Sequence, residues 1–142
     1  MAITTAIATS FKVELLTATH DFTASTGDTF KLSLYNPSAT LDATTTAYTT
    51  TNEVTGTGYT AGGATLVSST PVASGTSALC DFADVTFTAA TITARGCMIY
   101  NSSKSNKCVL VEDFGADYTS SGGNFVLTMP TPDASNAILR LA

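Results

Sequence analysis

Residues 81–111 read DFADVTFTAATITARGCMIYNSSKSNKCVLV, from Asp81 to Val111. This stretch decides the fold class. Val85, Phe87, Ile92, Met98, Ile99 and Tyr100 precede a polar segment, Asn101–Asn106, and Cys108–Val111 follow it. β-Branched and aromatic side chains suit a pleated, half-buried surface, and a polar cluster between two such runs marks a hairpin turn. Strands are expected over Val85–Phe87 and Thr91–Tyr100, with Lys107–Phe114 pairing back on the latter. No catalytic constellation lies inside the stretch.

Strand signals recur on both sides of this hairpin. From Asp28 to Tyr35 the chain alternates, with Phe30, Leu32 and Leu34 on one face and Lys31, Ser33 and Tyr35 on the other. Asn36-Pro37-Ser38 ends that run, because proline has no N–H to donate. Further short strands are expected over Ala64–Val72, Ser77–Phe82, Phe125–Met129 and Ala137–Leu141. Turns at Ala73–Gly75 and Ser120–Asn124, and the prolines at 130 and 132, separate them. Roughly seven to nine short strands with regular turn signals predict a mainly β domain, a β-sandwich or a jelly-roll-like barrel.

Two segments depart from this pattern. Leu41–Gly63 carries glycines at 56, 58, 62 and 63 and reads as an extended loop or a pair of short edge strands. A long loop of this kind is a candidate contact surface. At the start, Ile3, Ile7, Phe11 and Leu15 recur every four residues, which predicts a helix over Thr4–Ala18. That helix either covers a sheet face or docks as an arm on a neighbouring subunit. The expected organisation is an N-terminal helix or arm over 1–20 and a β-sandwich domain over 21–142. On this reading, deleting Met1–Ser10 leaves the β-core folded.

Bulk properties narrow the function classes. A chain of 142 residues supports one domain with a moderate core. Charged residues make up 12%, about half the usual share, and Thr and Ser together fill roughly three positions in ten. Thr is stiff at χ1 and suits a pleated face. The net charge is −5, and the basic residues Lys12, Lys31, Arg95, Lys104, Lys107 and Arg140 are scattered. Gripping a phosphate backbone takes clustered cations, so direct nucleic-acid binding is not expected. No run approaches the ~18 apolar residues of a membrane span. Met1–Thr9 lacks the charged start and apolar core of a secretory signal, so synthesis in a cytoplasm is expected and a disulfide framework is not.

Candidate chemistry is sparse. His20 is the single histidine; a general base needs a nucleophile and an orienting group, and the alternative is a loop residue or a cation at a helix end. Cys80, Cys97 and Cys108 form no C-x-x-C pair. A hairpin turning symmetrically about Ser102 and Ser103 would set Cys97 opposite Cys108, as a candidate disulfide or as two small buried hydrophobes. Asp113 and Asp117 flank Gly115 without the spacing of a calcium loop, and a solvated turn is the alternative. The glycines of 56–63 follow no phosphate-binding pattern. No catalytic residue, metal ligand or cofactor site is assigned, and an enzyme is not expected.

Five blocks, in order, carry a resemblance: TSFKVELL (Thr9–Leu16), FTASTGDTFKLSLY (Phe22–Tyr35), NEVTGTGYTAGGATL (Asn52–Leu66), DFADVTFTAATITARG (Asp81–Gly96) and NAILRLA (Asn136–Ala142). Together the chain resembles a family of small structural proteins of tailed bacteriophages, of the capsid decoration or cement type. The resemblance implies a virion component made in a bacterial cytoplasm, bound to the outside of a phage head. Its implied partners are the major capsid protein and further copies of itself, as a trimer or dimer. A tail- or fibre-associated adaptor or receptor-binding β-module is the alternative. In the family it resembles, small residues such as Ala also stand where this chain has Cys97 and Cys108, so the resemblance implies that a bridge there would be a local elaboration.

Overall fold

The structure, a computed structural model, describes residues 2–142. The alternating stretch around Ile92 builds one long antiparallel hairpin. The element order is β1 (Ala6–Ile7), α1 (Thr9–Leu16), β2 (Phe30–Tyr35), β3 (Ala64–Thr65), β4 (Val72–Ser74), β5 (Ser77–Cys80), β6 (Val85–Asn101), β7 (Lys107–Leu127) and β8 (Leu139–Leu141). Five strands form one sheet in the order β1-β7-β6-β2-β3, and three form a second in the order β4-β5-β8. The named strand pairs are all antiparallel. Two sheets and one short helix make a mainly β, sandwich-like domain.

The expected breaks in the hairpin do not occur. β6 runs through Thr88–Ala90 because one extra residue is absorbed there: the pairing register shifts between Phe87 and Ala90, and Ala89 takes φ +47°. A bulge of this kind resets which residues face inward. Phe87 and Ala90 are therefore both buried, although an uninterrupted period of two would set them on opposite faces. β7 likewise continues through Ser120–Asn124, expected to be a turn. Gly122 adopts φ +72°, and a side-chain carbon at Gly122 or Gly123 would meet nothing within 4 Å.

One face of β2 and β6 carries Phe30, Leu32, Leu34, Cys97 and Ile99, all buried. Over it lies an aromatic group: Phe22 stacks on Phe30 at 4.3 Å, Phe82 stands 5.8 Å from Phe30, and Phe11 meets Phe22 edge-on at 5.9 Å. Each such side chain contributes ~1.5–3 kcal/mol on full burial. The opposite face, with Tyr35 and Tyr100, is covered by the 41–63 segment. That segment is irregular; its backbone bridges the sheet at isolated points, Tyr35 to Glu53, Ala47 to Lys107 and Thr57 to Thr91, and its side chains make further contacts.

The N-terminal expectation needs correction. The helix spans only Thr9–Leu16, and what precedes it is extended: Ile3 bridges Leu41, and Ala6 and Ile7 pair with Val111 and Leu110. A four-residue apolar spacing also arises when alternate strand positions run into a helix, so the stripe did not distinguish the two. Residues 2–16 are no separable arm. Ile3 is buried against Gly96, where an added side-chain carbon would stand 2.8 Å from the Ile3 Cδ1. Thr5 Oγ1 accepts a hydrogen bond from the Asp113 N–H at 2.9 Å. Deleting Met1–Ser10 would strip the edge strand from β7.

The candidate disulfide is not formed. The turn occupies Ser102–Asn106, Asn101 pairs with Lys107, and a register shift follows between Ile99 and Tyr100. Cys97 therefore faces Glu112, and Cys108 faces Tyr100. The two cysteines sit three rungs apart, roughly 10 Å along the strand, beyond the ~7 Å Cα reach of a disulfide.

Candidate functional site

The polar residues singled out in the sequence serve as braces. His20 lies buried where the end of α1 meets the hairpin turn. Its Nε2 is 2.7 Å from Glu14 Oε2, and its Nδ1 is 2.9 Å from the Asn101 amide nitrogen. That amide also donates to Asp28 Oδ2 at 2.8 Å, while Asn101 Oδ1 accepts the Ser103 N–H at 3.0 Å. These partners fix the amide orientation, so Nδ1 accepts and Nε2–H donates to the carboxylate. Lys107 Nζ closes the chain on Glu14 Oε1 at 3.0 Å. Burial opposes ionisation of Glu14, but the His20 and Lys107 hydrogen bonds outweigh it and hold its carboxyl below the ordinary range. His20 is thus neither an exposed loop residue nor a free helix-end cation.

A second brace went unnoticed in the sequence. Glu53 is buried, and its Oε1 accepts from the Tyr59 hydroxyl at 2.6 Å and the Gly62 N–H at 2.7 Å. Its Oε2 accepts from the Tyr48 hydroxyl at 2.6 Å. The hydroxyl of Tyr59 in turn accepts the Leu34 N–H at 2.9 Å, and Tyr100 donates to the Gly62 carbonyl at 2.7 Å. Tyr48 stacks on Tyr100 with centroids 4.7 Å apart. Burial and the adjacent carboxylate push the Tyr48 and Tyr59 phenols well above their ordinary range. Gly63, at φ +74°, lets the backbone lie directly against the Leu32 carbonyl, where no side chain fits. The signal was present: Glu53 is the only charged residue between Asp42 and Asp81, with tyrosines at 48 and 59.

Asp113 and Asp117 bracket a wide bulge, since Ala94 pairs with Tyr118 while Gly96 pairs with Asp113. Arg95 Nε meets Asp113 Oδ1 at 2.6 Å and Arg95 Nη1 meets Asp117 Oδ1 at 3.7 Å. Both carboxylates serve to clamp the bulge. Among the described residues no group of three or more His, Cys, Asp or Glu is placed to hold a metal ion. Burial raises all three thiols, Cys80 to about 11, Cys108 to about 12 and Cys97 further still, so each is held as a neutral thiol.

What remains open to a partner is surface. Between α1 and the second sheet runs an apolar groove of about 390 Å³, walled by Ile7, Phe11 and Leu15 and floored by Leu79, Leu139 and Leu141. Lys12 and Arg140 stand on its lining. Leu141 on its lining is exposed, as are Leu16, at 90%, and Val13 elsewhere on α1 and Val72 on β4. A shallower polar hollow lies on the hairpin, lined by Asn36, Thr55, Thr91, Thr93, Thr119 and Ser120 among others. Among the described residues no helix is long and apolar enough to cross a membrane. No family model, no curated protein and no solved structure matches this chain.

Proposed function

We propose that the protein is a non-enzymatic structural component of a tailed-phage virion, a decoration protein that binds the outer surface of the head and stabilises it. The resemblance of the five sequence blocks suggests this reading. The observation that carries it furthest is where the ionisable groups lie: Glu14, His20 and Glu53 brace loops against the large sheet, and Arg95 and Asp113 clamp a bulge within it. What the molecule offers outward is a rigid β-body with apolar and hydroxyl-rich surface. A module that binds only the mature shell stabilises that state by mass action, and repeated weak contacts reinforce each other. The partners on this reading are the major capsid protein and further copies of the chain, as a trimer or dimer.

Quantitative gel densitometry of purified virions tests it. A copy number comparable to that of the major capsid protein supports head decoration. Absence from intact particles overturns it. A few copies per particle would favour a tail or fibre adaptor, a reading for which the Thr- and Ser-lined hollow on the hairpin speaks, since hydroxyl-rich surfaces suit glycan contact.

A further inference from the structure

We propose that the groove between α1 and the second sheet docks an amphipathic segment of another protein whose apolar side chains are flanked by carboxylates. On the decoration reading this segment belongs to the shell, and the inference rests on that reading only for the identity of the protein that carries it.

The argument is steric and then electrostatic. The groove is an apolar trough with a helical wall, Phe11 and Leu15, and a sheet floor, Leu79 and Leu139. Its volume of about 390 Å³ falls within the ~300–1,000 Å³ of ligand-taking clefts. An amphipathic helix laid in such a groove anchors through side chains on one face.

The charges around the trough select the occupant. Both ionic side chains on its lining are cations, Lys12 and Arg140, in a chain that is acidic overall. Arg95, Lys104 and Lys107 each pair with a carboxylate of this chain, whereas Lys12 takes part in no ion pair among the described residues. Arg140 donates to the Ala134 carbonyl at 3.2 Å. Asp133 feels its charge, but both Asp133 oxygens accept from the Asn136 amide. An isologous second copy would place this same patch against itself and bring Lys12 and Arg140 toward their own equivalents. Like charges facing each other across an interface are penalised, so a copy of this chain does not fit as a two-fold partner. A segment bearing carboxylates beside its apolar face does.

The test uses the full chain and two fluorescein-labelled helical peptides. One carries leucines at i, i+3, i+4 and i+7 with glutamates at the other positions; the second carries lysines in place of the glutamates. Fluorescence anisotropy should show binding of the acidic peptide and about tenfold or more weaker binding of the basic one. The affinity should fall with added salt. Amide NMR shifts should concentrate at Lys12, Leu15, Leu79 and Arg140. In the double variant Lys12→Glu with Arg140→Glu, both on exposed positions, the preference should reverse while the thermal melt stays close to that of the parent. Equal binding of both peptides, binding of neither, or shifts centred elsewhere would overturn the inference. So would concentration-dependent dimerisation that perturbs the same amides, because the occupant would then be a second copy. No virion is needed, so this outcome is independent of the copy-number measurement.

Discussion

Replacing Glu53 by alanine tests the account of the 41–63 segment most directly. The carboxylate accepts from two phenols and from the Gly62 N–H, with donor distances of 2.6–2.7 Å. Removing it leaves three donors without that acceptor. A buried donor left unpaired costs about 1–3 kcal/mol. The Gly62 N–H lies in a buried contact and bears the full cost, while Tyr48 and Tyr59 are half-buried and recover part of theirs from water. The expected loss is about 3–5 kcal/mol, against a total of about 5–15 kcal/mol for a domain. At roughly 3 °C per kcal/mol for a chain of this size, the melting midpoint should fall by about 10–15 °C. Glu53→Gln keeps the shape and one acceptor oxygen for Tyr59 and Gly62, while its NH2 faces Tyr48, whose hydroxyl must turn to accept; it should lose about half as much. Urea titration and calorimetry measure both. Hydrogen exchange should localise the loosening to the amides of residues 48–62. An alanine variant within about 0.5 kcal/mol of the parent would refute the claim that this carboxylate holds the segment to the sheet.

Three further outcomes are expected. Ile3→Ala should cost about 2–4 kcal/mol in urea titration, and near-parental stability would mean the N-terminal strand is dispensable; Gly96→Val should also destabilise, because its added carbon would run into the Glu112 carbonyl of β7 before it reaches Ile3. The three thiols should stay unreactive toward a thiol reagent in the folded protein and react fully in denaturant, and added dithiothreitol should leave the melting temperature unchanged, because Cys97 and Cys108 are buried, protonated and unbridged. Glu14 contributes an acid limb: its folded pKa lies below its unfolded value of about 4.5, so its contribution is complete above that pH and is lost as pH falls through the folded value. Glu14→Gln should flatten the stability–pH curve below pH 4.5, and an unchanged slope there would remove the Lys107–Glu14–His20 chain as its cause.

The hairpin and its central partner were legible because their pattern is simple. Phe30, Leu32 and Leu34 alternate as a half-buried strand must, and β2 begins and ends within two residues of the expected bounds. What failed was local punctuation. Ser120–Asn124 has turn composition, yet on a ribbon with open space beside it glycine costs only entropy and the strand continues. Ala89 gives no sign that it will take φ +47°, because the bulge is chosen by the partner strand. The Cys97–Cys108 pairing failed because the turn centres on Lys104 and not between Ser102 and Ser103, and one shifted rung beyond it displaces the later pairs further. β4 runs from Val72, inside an expected strand, on through Ala73 and Ser74 of an expected turn, because Gly75, at φ +61°, and Thr76 are enough to reverse the chain. Of the two braces, the one at His20 could be suspected from its lone imidazole but not its partners, which lie 81 and 93 residues apart along the chain for the Asn101–His20 and Lys107–Glu14 contacts.

The pairing of Ala6–Ile7 with Leu110–Val111 also sets a clock for synthesis. About a hundred codons separate these partners, and at ~5–20 residues per second the first strand waits on the order of ten seconds for its edge to leave the ribosome. Throughout that interval Ile3 and Ile7 have no sheet to join, whereas β6 and β7, joined by a tight turn, meet almost as soon as they are made. The segment translated first therefore waits for the hairpin to begin closing before it has an edge to join.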